Sequence, residues 1–260
     1  MTRWVAFAAL TLFVVTLVLF SARASEGLVD ELAAERTPHA EALPDGADHL
    51  DAAISDAART SPTPTLSSTA LLANVGASHG LFAALLLAGL WLANVPASTL
   101  GIGIEPFTGT LAVVVGILAG LVLAFANTLV GSLVESDPSA KLRKLLAPDS
   151  VGGWIALLVV VLPIIAGFEE LLFRSILIGA FSSGFGISPW VLAVGSSVLF
   201  AAGHGAQGHL GIAATGVLGF VLAAVFVVTN SFLVVFFAHY VVNAVEFVVF
   251  EGFEYEPFGR

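Results

Sequence analysis

Long apolar runs separated by polar stretches dominate the pattern along this chain. A membrane-spanning helix needs roughly 20 apolar residues. Seven candidate segments follow one another: Trp4–Phe20, Ala70–Val95, Thr110–Val134, Val151–Phe181, Trp190–Ala202, Leu210–Val228 and Phe232–Phe250. The fifth is short, and an extension through Gly203 and His204 would lengthen it. The fourth contains Pro163, which kinks or splits a helix, so an eighth span is an alternative. The pattern predicts an all-α, polytopic membrane bundle of about seven to eight transmembrane helices.

Composition supports this interpretation. Hydrophobic residues make up 58% of the chain and charged residues 11%, whereas about a quarter of the residues in a soluble domain are charged. We therefore expect a multi-pass integral membrane protein whose first partner is the lipid bilayer. The chain has no cysteine, which excludes disulfides, thiolate metal sites and cysteine nucleophiles. A net charge of −10 disfavours nucleic acid as a partner.

The N-terminal part divides into an apolar and a polar segment. Residues 1–20 predict a transmembrane helix, although Ala22 and Ala24 give the Ala-x-Ala pattern of a signal peptide cleavage site. We favour a retained helix, because the apolar run is longer than a usual signal sequence. Residues 21–68 are rich in Ala, Asp, Glu, Ser, Thr and Pro, and predict an acidic, solvated loop and linker that is partly helical or disordered.

The remainder of the chain divides into three segments. Residues 69–150 carry two spans and a connecting loop without a recognisable signature. Residues 151–250 hold the intramembrane polar residues described next, and residues 251–260 form a polar tail.

The stretch "GFEELLFRSILIG" places Glu169, Glu170 and Arg174 inside an apolar run. A charged residue at the centre of a membrane helix costs about 2.5–3.5 kcal/mol on insertion scales. Glu170 and Arg174 are four residues apart and can neutralise each other on one helix face, either to orient a site or only to fix packing. Glu169 points about 100° away around the helix and is predicted to be unpaired. Such a carboxyl group suits a general base or acid, and the alternative is a protonated glutamate bonded to a neighbouring helix.

Two further stretches carry histidines. In "LFAAGHGAQGH", His204 lies four residues after Phe200 at the end of a span. A neutral histidine there can accept a proton from a reactant, and the alternative is a surface or packing role. In "FFAHYVVNAVEF", the spacing of His239, Asn243 and Glu246 places all three on one helix face.

A polar face on a membrane helix must point at the bundle interior or at water. His239 and Asn243 can both donate hydrogen bonds and so stabilise an oxyanion. Glu246 is predicted to be an accessory partner for another helix. The alternative for the whole face is hydrogen bonding between helices, at about 0.6 kcal/mol per bond.

One shared intramembrane cavity would explain all of these residues together. A carboxylate, a histidine and two hydrogen-bond donors are the groups needed to activate water and stabilise a tetrahedral intermediate. The sequence therefore favours a hydrolytic site formed by three helices.

The order Glu-Glu-x-x-x-Arg, Phe-x-x-x-His and His-x-x-x-Asn, over about residues 150–250, resembles the CAAX protease and bacteriocin-processing family. This family is also called CPBP or Abi and includes the type II CAAX prenyl endopeptidases. The resemblance implies an intramembrane endopeptidase acting on a membrane-associated protein or peptide, and it makes residues 151–250 the catalytic core. It implies that Glu169 and His204 activate water, that Glu170 and Arg174 orient the site, and that His239 and Asn243 form the oxyanion hole.

A zinc-dependent site is the main alternative within this family. Glu169, His204 and His239 would then be the ligands, with one position open for water. We favour a mechanism without a cofactor, because asparagine is a poor zinc ligand and a good oxyanion donor. The chain has no His-Glu-x-x-His motif of the zincin type.

Two functions other than proteolysis are also alternatives for this sequence. An Abi-type immunity or scaffold protein would not need the full water-activating set. A transporter or proton relay also uses buried Glu and His, but transporters often carry internal repeats, and none is visible here. The acidic composition favours a prokaryotic cell membrane as the location.

Overall fold

The computed structural model describes residues 2–36, 67–103, 106–134 and 139–253, and within these ranges the chain folds into helices without a β-strand. The helices are α1 (Trp4–Arg36), α2 (Ser68–Ala93), α3 (Gly109–Val134), α4 (Ala140–Leu146), α5 (Val151–Phe185), α6 (Pro189–Ala202), α7 (Gly208–Thr229) and α8 (Phe232–Glu246). Short 3₁₀ turns at Ala97–Leu100 and Gly205–Gln207 join α2 to α3 and α6 to α7. The α8 helix continues as a wider π-helical turn over Phe247–Gly252.

The described residues contain six helices that are long and apolar enough to cross a membrane, and α6 is a shorter apolar helix. These seven helices correspond to the seven predicted segments, which confirms the predicted polytopic helical bundle. The α6 helix ends at Ala202, so the predicted extension through His204 is wrong. Gly203 and His204 form a turn instead.

Pro163 does not divide the fourth segment. The α5 helix runs unbroken for 35 residues, so it provides no eighth span within the described part of the chain. The turn just before the proline is a π-helix over Leu157–Val161, in which the N–H of Leu162 bonds to the carbonyl of Leu157. A proline lacks an N–H and its ring crowds the carbonyl four residues earlier, and a widened turn relieves both problems. A second π-helical segment over Leu171–Ala180 follows the glutamates.

Polar residues at the helix ends explain where several helices begin and stop. The hydroxyls of Ser67, Ser150 and Ser231 accept hydrogen bonds from backbone N–H groups in the first turns of α2, α5 and α8. Asn94 and Asn230 adopt left-handed conformations, with φ of 55° and 45°, after α2 and α7. Asparagine tolerates this conformation better than most residues, so it ends a helix well.

The α5 helix runs through the centre of the bundle. Its segment Leu171–Ile178 is buried on every side, and its apolar residues pack against α1, α2 and α6 in one continuous core. The outer surface of the bundle carries large exposed apolar side chains, including Trp91, Phe125, Val159 and Val198. Such a surface is suited to lipid contact, since lipid chains are as apolar as the side chains themselves.

The polar segments are only partly described. The α1 helix extends beyond the predicted end at Phe20 to Arg36, so the beginning of the predicted 21–68 loop is helical. Most of that loop, residues 37–66, lies outside the described residues, as do residues 254–260 of the predicted tail. Glu251 and Gly252, at the start of that tail, continue the last helix.

Candidate active site

Glu170 is the centre of a buried polar cluster between α5 and α8. Its side chain is fully buried, and its Oε1 atom accepts two hydrogen bonds. Arg174 donates one from Nη1 at 2.8 Å, and His239 donates the other from Nδ1 at 2.6 Å. Charge-assisted bonds of this length are the strongest class in proteins. The cluster therefore fixes the α8 histidine relative to α5.

Arg174 is held from three directions. Besides Glu170, its Nη2 atom donates to the backbone carbonyl of Gly219 on α7 at 3.0 Å. Its guanidinium lies 4.6 Å from the centre of the Phe200 ring, which is a cation–π distance. A side chain at position 219 would press on the Phe200 ring, so the glycine permits this close approach. The predicted ion pair between Glu170 and Arg174 is confirmed.

His239 joins the two neighbouring glutamates. Its Nδ1 atom contacts Glu170, and its Nε2 atom lies 3.5 Å from Oε2 of Glu169. An ionised carboxylate can only accept, so Nδ1 carries the proton in the bond to Glu170. Glu169 was predicted to be unpaired, and in this respect the structure differs, because the partner histidine comes from a distant helix. The side chain of Glu169 keeps 12% exposure, more than that of Glu170.

His204 lies in the turn after α6. Its Nδ1 atom lies 2.7 Å from the carbonyl oxygen of Phe200, which fixes the proton on Nδ1 and leaves Nε2 as an acceptor. The His204 ring is 4.6 Å from the Phe200 ring, and the His239 ring is 5.9 Å from it. Phe200 thus contacts both histidines and Arg174. In the sequence, Phe200 is only part of the Phe-x-x-x-His motif, although an aromatic residue four positions before an intramembrane histidine is a usable signal.

A cavity of about 480 Å³ opens between α3, α7 and α8. His204, His239 and Asn243 line it together, and Glu246 lines it two turns after His239. The predicted polar face of α8 therefore points into one cavity, and His239 connects this cavity to the glutamates on α5. Most of the other lining residues are apolar side chains of α3 and α7, such as Leu123, Val130, Val217 and Val221.

Sequence reasoning missed the polar residues of this cavity that belong to no motif. Asn127 on α3 donates to Glu246 at 2.5 Å, which confirms the prediction that Glu246 has a partner on another helix. Gln207 lines the cavity and accepts a hydrogen bond from Thr215. A polar amide inside an apolar segment, as in "AFANTL", is the signal that could have identified Asn127.

The residues that could hold a zinc ion are Glu169, His204 and His239. Among the described residues, no three His, Asp or Glu side chains are grouped closely enough to hold a metal ion. Glu169 and His239 are near each other, and the Nδ1 atoms of His239 and His204 are bonded within the protein. A zinc-binding histidine commonly makes such a bond with its second nitrogen, so Nε2 is the nitrogen of each histidine that could reach a metal.

Comparison with known proteins gives one match. Residues 151–245 match the family described as type II CAAX prenyl endopeptidase Rce1-like. A search of curated proteins finds no match, and neither does a search of solved structures. The matched segment begins at the first residue of α5 and ends just beyond Asn243, so it contains all six residues of the predicted site. This similarity over residues 151–245 supports a relationship to the type II CAAX prenyl endopeptidase family.

Proposed function

We propose that this protein is a glutamate-dependent intramembrane endopeptidase that hydrolyses a peptide bond in a membrane-associated protein or peptide. The observation that carries the proposal is a series of contacts in which Arg174 bonds to Glu170 and Glu170 bonds to His239. Glu169 lies beside Nε2 of the same histidine. His239 lines a cavity that His204 and Asn243 also line. The site thus combines a carboxylate, two histidines and an amide donor.

Glu169 is assigned as the general base. It takes a proton from water while the water oxygen bonds to the carbon of the scissile carbonyl. Nε2 of His204, left as an acceptor by the bond from Nδ1 to Phe200, holds the second hydrogen of that water. Glu169 then returns its proton to the leaving nitrogen as the C–N bond breaks, so the products are a carboxylic acid and an amine. Of the two glutamates, Glu169 is assigned this role because its side chain is more exposed than that of Glu170.

Asn243 and His239 are assigned as the oxyanion donors. The amide of Asn243 and, in its imidazolium form, the Nε2–H of His239 can both donate to the negative oxygen of the tetrahedral intermediate. The 3.5 Å separation between Nε2 and Glu169 exceeds the usual length of an N–H···O bond. The Nε2 donor is therefore not committed to Glu169 and is available to the substrate.

Glu170 and Arg174 are assigned as positioning residues. Arg174 neutralises Glu170 inside the bundle, and Glu170 keeps a proton on Nδ1 of His239 and fixes the orientation of its ring. The apolar walls that α3 and α7 give the cavity suit a substrate segment that arrives from the lipid phase. The acidic composition supports a prokaryotic cell membrane as its location.

The test is peptide cleavage by the purified full-length chain in detergent. Wild type is compared with Glu169→Gln and His204→Ala, each with and without a strong zinc chelator. The substrates are a mixed peptide library that includes farnesylated C-a-a-X peptides and their unmodified counterparts, and products are identified by mass spectrometry. We expect cleavage that both substitutions abolish and the chelator leaves intact.

Other results have distinct meanings. Cleavage that is lost on chelation and restored by zinc would contradict the metal-free mechanism. Cleavage that survives Glu169→Gln would contradict the assignment of the general base. A well-folded wild type that cleaves none of the library would shift the interpretation towards an Abi-type immunity or scaffold protein.

A further inference from the structure

Gln207 and Thr215 form a polar pair on the α7 wall of the cavity, next to the candidate active site. Both residues line the cavity. The hydroxyl of Thr215 donates to Oε1 of Gln207 at 2.7 Å. The glutamine lies in the same turn as His204, three positions later. The pair therefore belongs to the cavity, but it lies outside the set of residues assigned to water activation and oxyanion stabilisation.

The hydrogen bond from Thr215 fixes the direction of the Gln207 amide. A glutamine side chain has one carbonyl acceptor and an NH₂ group with two donors. Because the hydroxyl of Thr215 holds the carbonyl oxygen, the NH₂ group lies at the other end of the amide plane. Gln207 lines the cavity, so these donors are positioned to reach a bound molecule.

The conformation of Gln207 also argues against a role in starting α7. It occupies the position before the first residue of the helix, where a polar side chain often bonds to backbone N–H groups of the first turn. The Gln207 side chain makes no such capping bond. It bonds instead to a residue two turns further along α7. Helix capping therefore does not explain why a glutamine is present.

Two amide side chains that line the cavity fit a peptide main chain. Asn243 lies on α8 and Gln207 lies in the turn before α7, and both residues line the same space. Each residue of a peptide offers a carbonyl acceptor. One carbonyl of a bound peptide can thus accept from Asn243 while another accepts from Gln207.

We propose that Gln207 is a substrate-binding residue whose side-chain amide, oriented by Thr215, donates a hydrogen bond to a main-chain carbonyl of the bound peptide. The ligand class, a peptide, rests on the proposed function. Recognition of a main-chain carbonyl does not depend on the side chain of the substrate residue. Gln207 therefore contributes affinity and register for peptides of varied sequence.

The test measures binding without cleavage. The full-length Glu169→Gln protein in detergent is titrated against two fluorescently labelled probes, a farnesylated C-a-a-X peptide and the same peptide without the lipid, and Kd is measured by anisotropy. Gln207→Leu removes the donors, and Gln207→Glu keeps an acceptor for Thr215 while also removing the donors. We expect both to weaken binding about tenfold, the value of one hydrogen bond.

Thr215→Val and Thr229→Val form a matched pair of variants. Both threonines belong to α7, but Thr229 is not among the residues that line the cavity, and its hydroxyl donates to the carbonyl of Val225 in its own helix. We expect Thr215→Val to weaken binding about threefold, because the freed glutamine amide loses its preferred orientation. Thr229→Val is expected to leave Kd unchanged. All variants are checked for folding by gel filtration and thermal unfolding.

A set of modified peptides locates the acceptor. Each peptide has one amide bond replaced by an alkene, which removes one main-chain carbonyl. We expect one position at which the alkene weakens binding when Gln207 is present. At that position the alkene should not weaken binding any further when Gln207 has been changed to Leu.

Several outcomes would overturn the inference. The first two are an unchanged Kd for Gln207→Leu and an equal loss of affinity in the two threonine variants. The third is that, at every alkene position, the loss of affinity adds to the loss caused by Gln207→Leu. The fourth is that neither probe binds when Gln207 is intact. Failure of the proposed function gives a different result, in which the probes bind and depend on Gln207 but the wild-type protein does not cleave them.

Discussion

Nδ1 of His239 lies 2.6 Å from Oε1 of Glu170, although the two residues are 69 positions apart in the chain. The same oxygen accepts a hydrogen bond from Arg174. One carboxylate oxygen therefore determines the proton position on His239 and anchors the arginine. This contact links the membrane helix that carries both glutamates to the helix that carries Asn243.

Glu170→Gln is expected to lower kcat strongly. The neutral amide cannot balance Arg174, and it no longer requires the proton of His239 to remain on Nδ1. Loss of a buried carboxylate that orients a catalytic histidine lowers kcat by about 10⁴ in the serine protease triad. We expect a decrease of about 10²–10⁴ in cleavage with little change in KM, together with altered ¹⁵N shifts of His239 in labelled protein.

The matched control for that variant is Glu251→Gln. Glu251 also accepts a hydrogen bond from an arginine, Arg143, at 2.9 Å, but at the end of α8. This change is expected to leave the His239 signals in place. Unchanged His239 shifts in Glu170→Gln would show that the Glu170 contact does not determine the tautomer.

Arg174→Ala is expected to destabilise the protein as well as inactivate it. The change leaves Glu170 buried beside His239 without its cation, and it removes the bond to the Gly219 carbonyl and the contact with Phe200. Removing one partner of a buried ion pair costs about 3–5 kcal/mol. A large fall in thermal unfolding temperature in detergent is the expected result.

Arg143→Ala provides the comparison for Arg174→Ala. Arg143 is also paired with a glutamate and stacked on a phenylalanine, Phe250, at the end of the bundle. We expect a smaller decrease in unfolding temperature for Arg143→Ala, because the side chain of its partner Glu251 keeps 10% exposure whereas that of Glu170 keeps none. Equal decreases would contradict the view that burial in the middle of the bundle makes the Arg174 pair important.

The sequence predicted the helices better than the contacts between them. Apolar runs located the spans, because the bilayer imposes one length and one composition on each. The pairing of Glu170 with Arg174 was also predictable, since side chains four residues apart are neighbours on the same face of a helix. The contact from His239 to both glutamates was not, because it depends on how α5 and α8 cross.

The local path of α5 was also beyond sequence reasoning. Pro163 indicated a kink or a break, and the chain instead widened the preceding turn into a π-helix. Whether a proline breaks a helix depends on whether its neighbours can satisfy the backbone groups that it frees. In this protein the widened turn over Leu157–Val161 accommodates the proline within an unbroken helix. The polar residues Asn127 and Gln207 were missed because each is a single amide without a spacing that indicates a partner.

Gly120→Ala is expected to separate α3 from α8. A methyl group at this position would lie 2.6 Å from the backbone carbonyl oxygen of Ala238 and 2.7 Å from Cβ of Val241. Backbone atoms cannot move aside as a flexible side chain can, so the two helices must shift. Overpacking of this kind costs about 1–3 kcal/mol, and we expect a lower unfolding temperature and weaker cleavage, since both helices line the cavity.

Gly195→Ala is the control for the α3–α8 contact. Gly195 also lies in a membrane helix, but a methyl group there would meet no atom within 4 Å. Alanine is favoured over glycine in a helix by about 1 kcal/mol, so this variant is expected to be as stable as the wild type or more so. A Gly120→Ala protein with the same stability as Gly195→Ala would show that α3 and α8 are not closely packed in the membrane.

Gly219→Ala is expected to disturb the candidate active site while the bundle remains folded. A methyl group at this position would lie 2.8 Å from the ring of Phe200, which is buried and cannot turn outward. The displaced ring would press on His204 and His239, whose ring centres lie 4.6 and 5.9 Å away. A displacement of about 1 Å in a catalytic group can lower the rate about 10²-fold, so we expect a large decrease in kcat and only a small decrease in the unfolding temperature.

Gly216→Ala, on the same helix, is the control, because the added methyl group would meet only the Ala201 methyl at 3.3 Å and should leave most of the activity. Equal activity in the two variants would mean that Phe200 does not position the histidines.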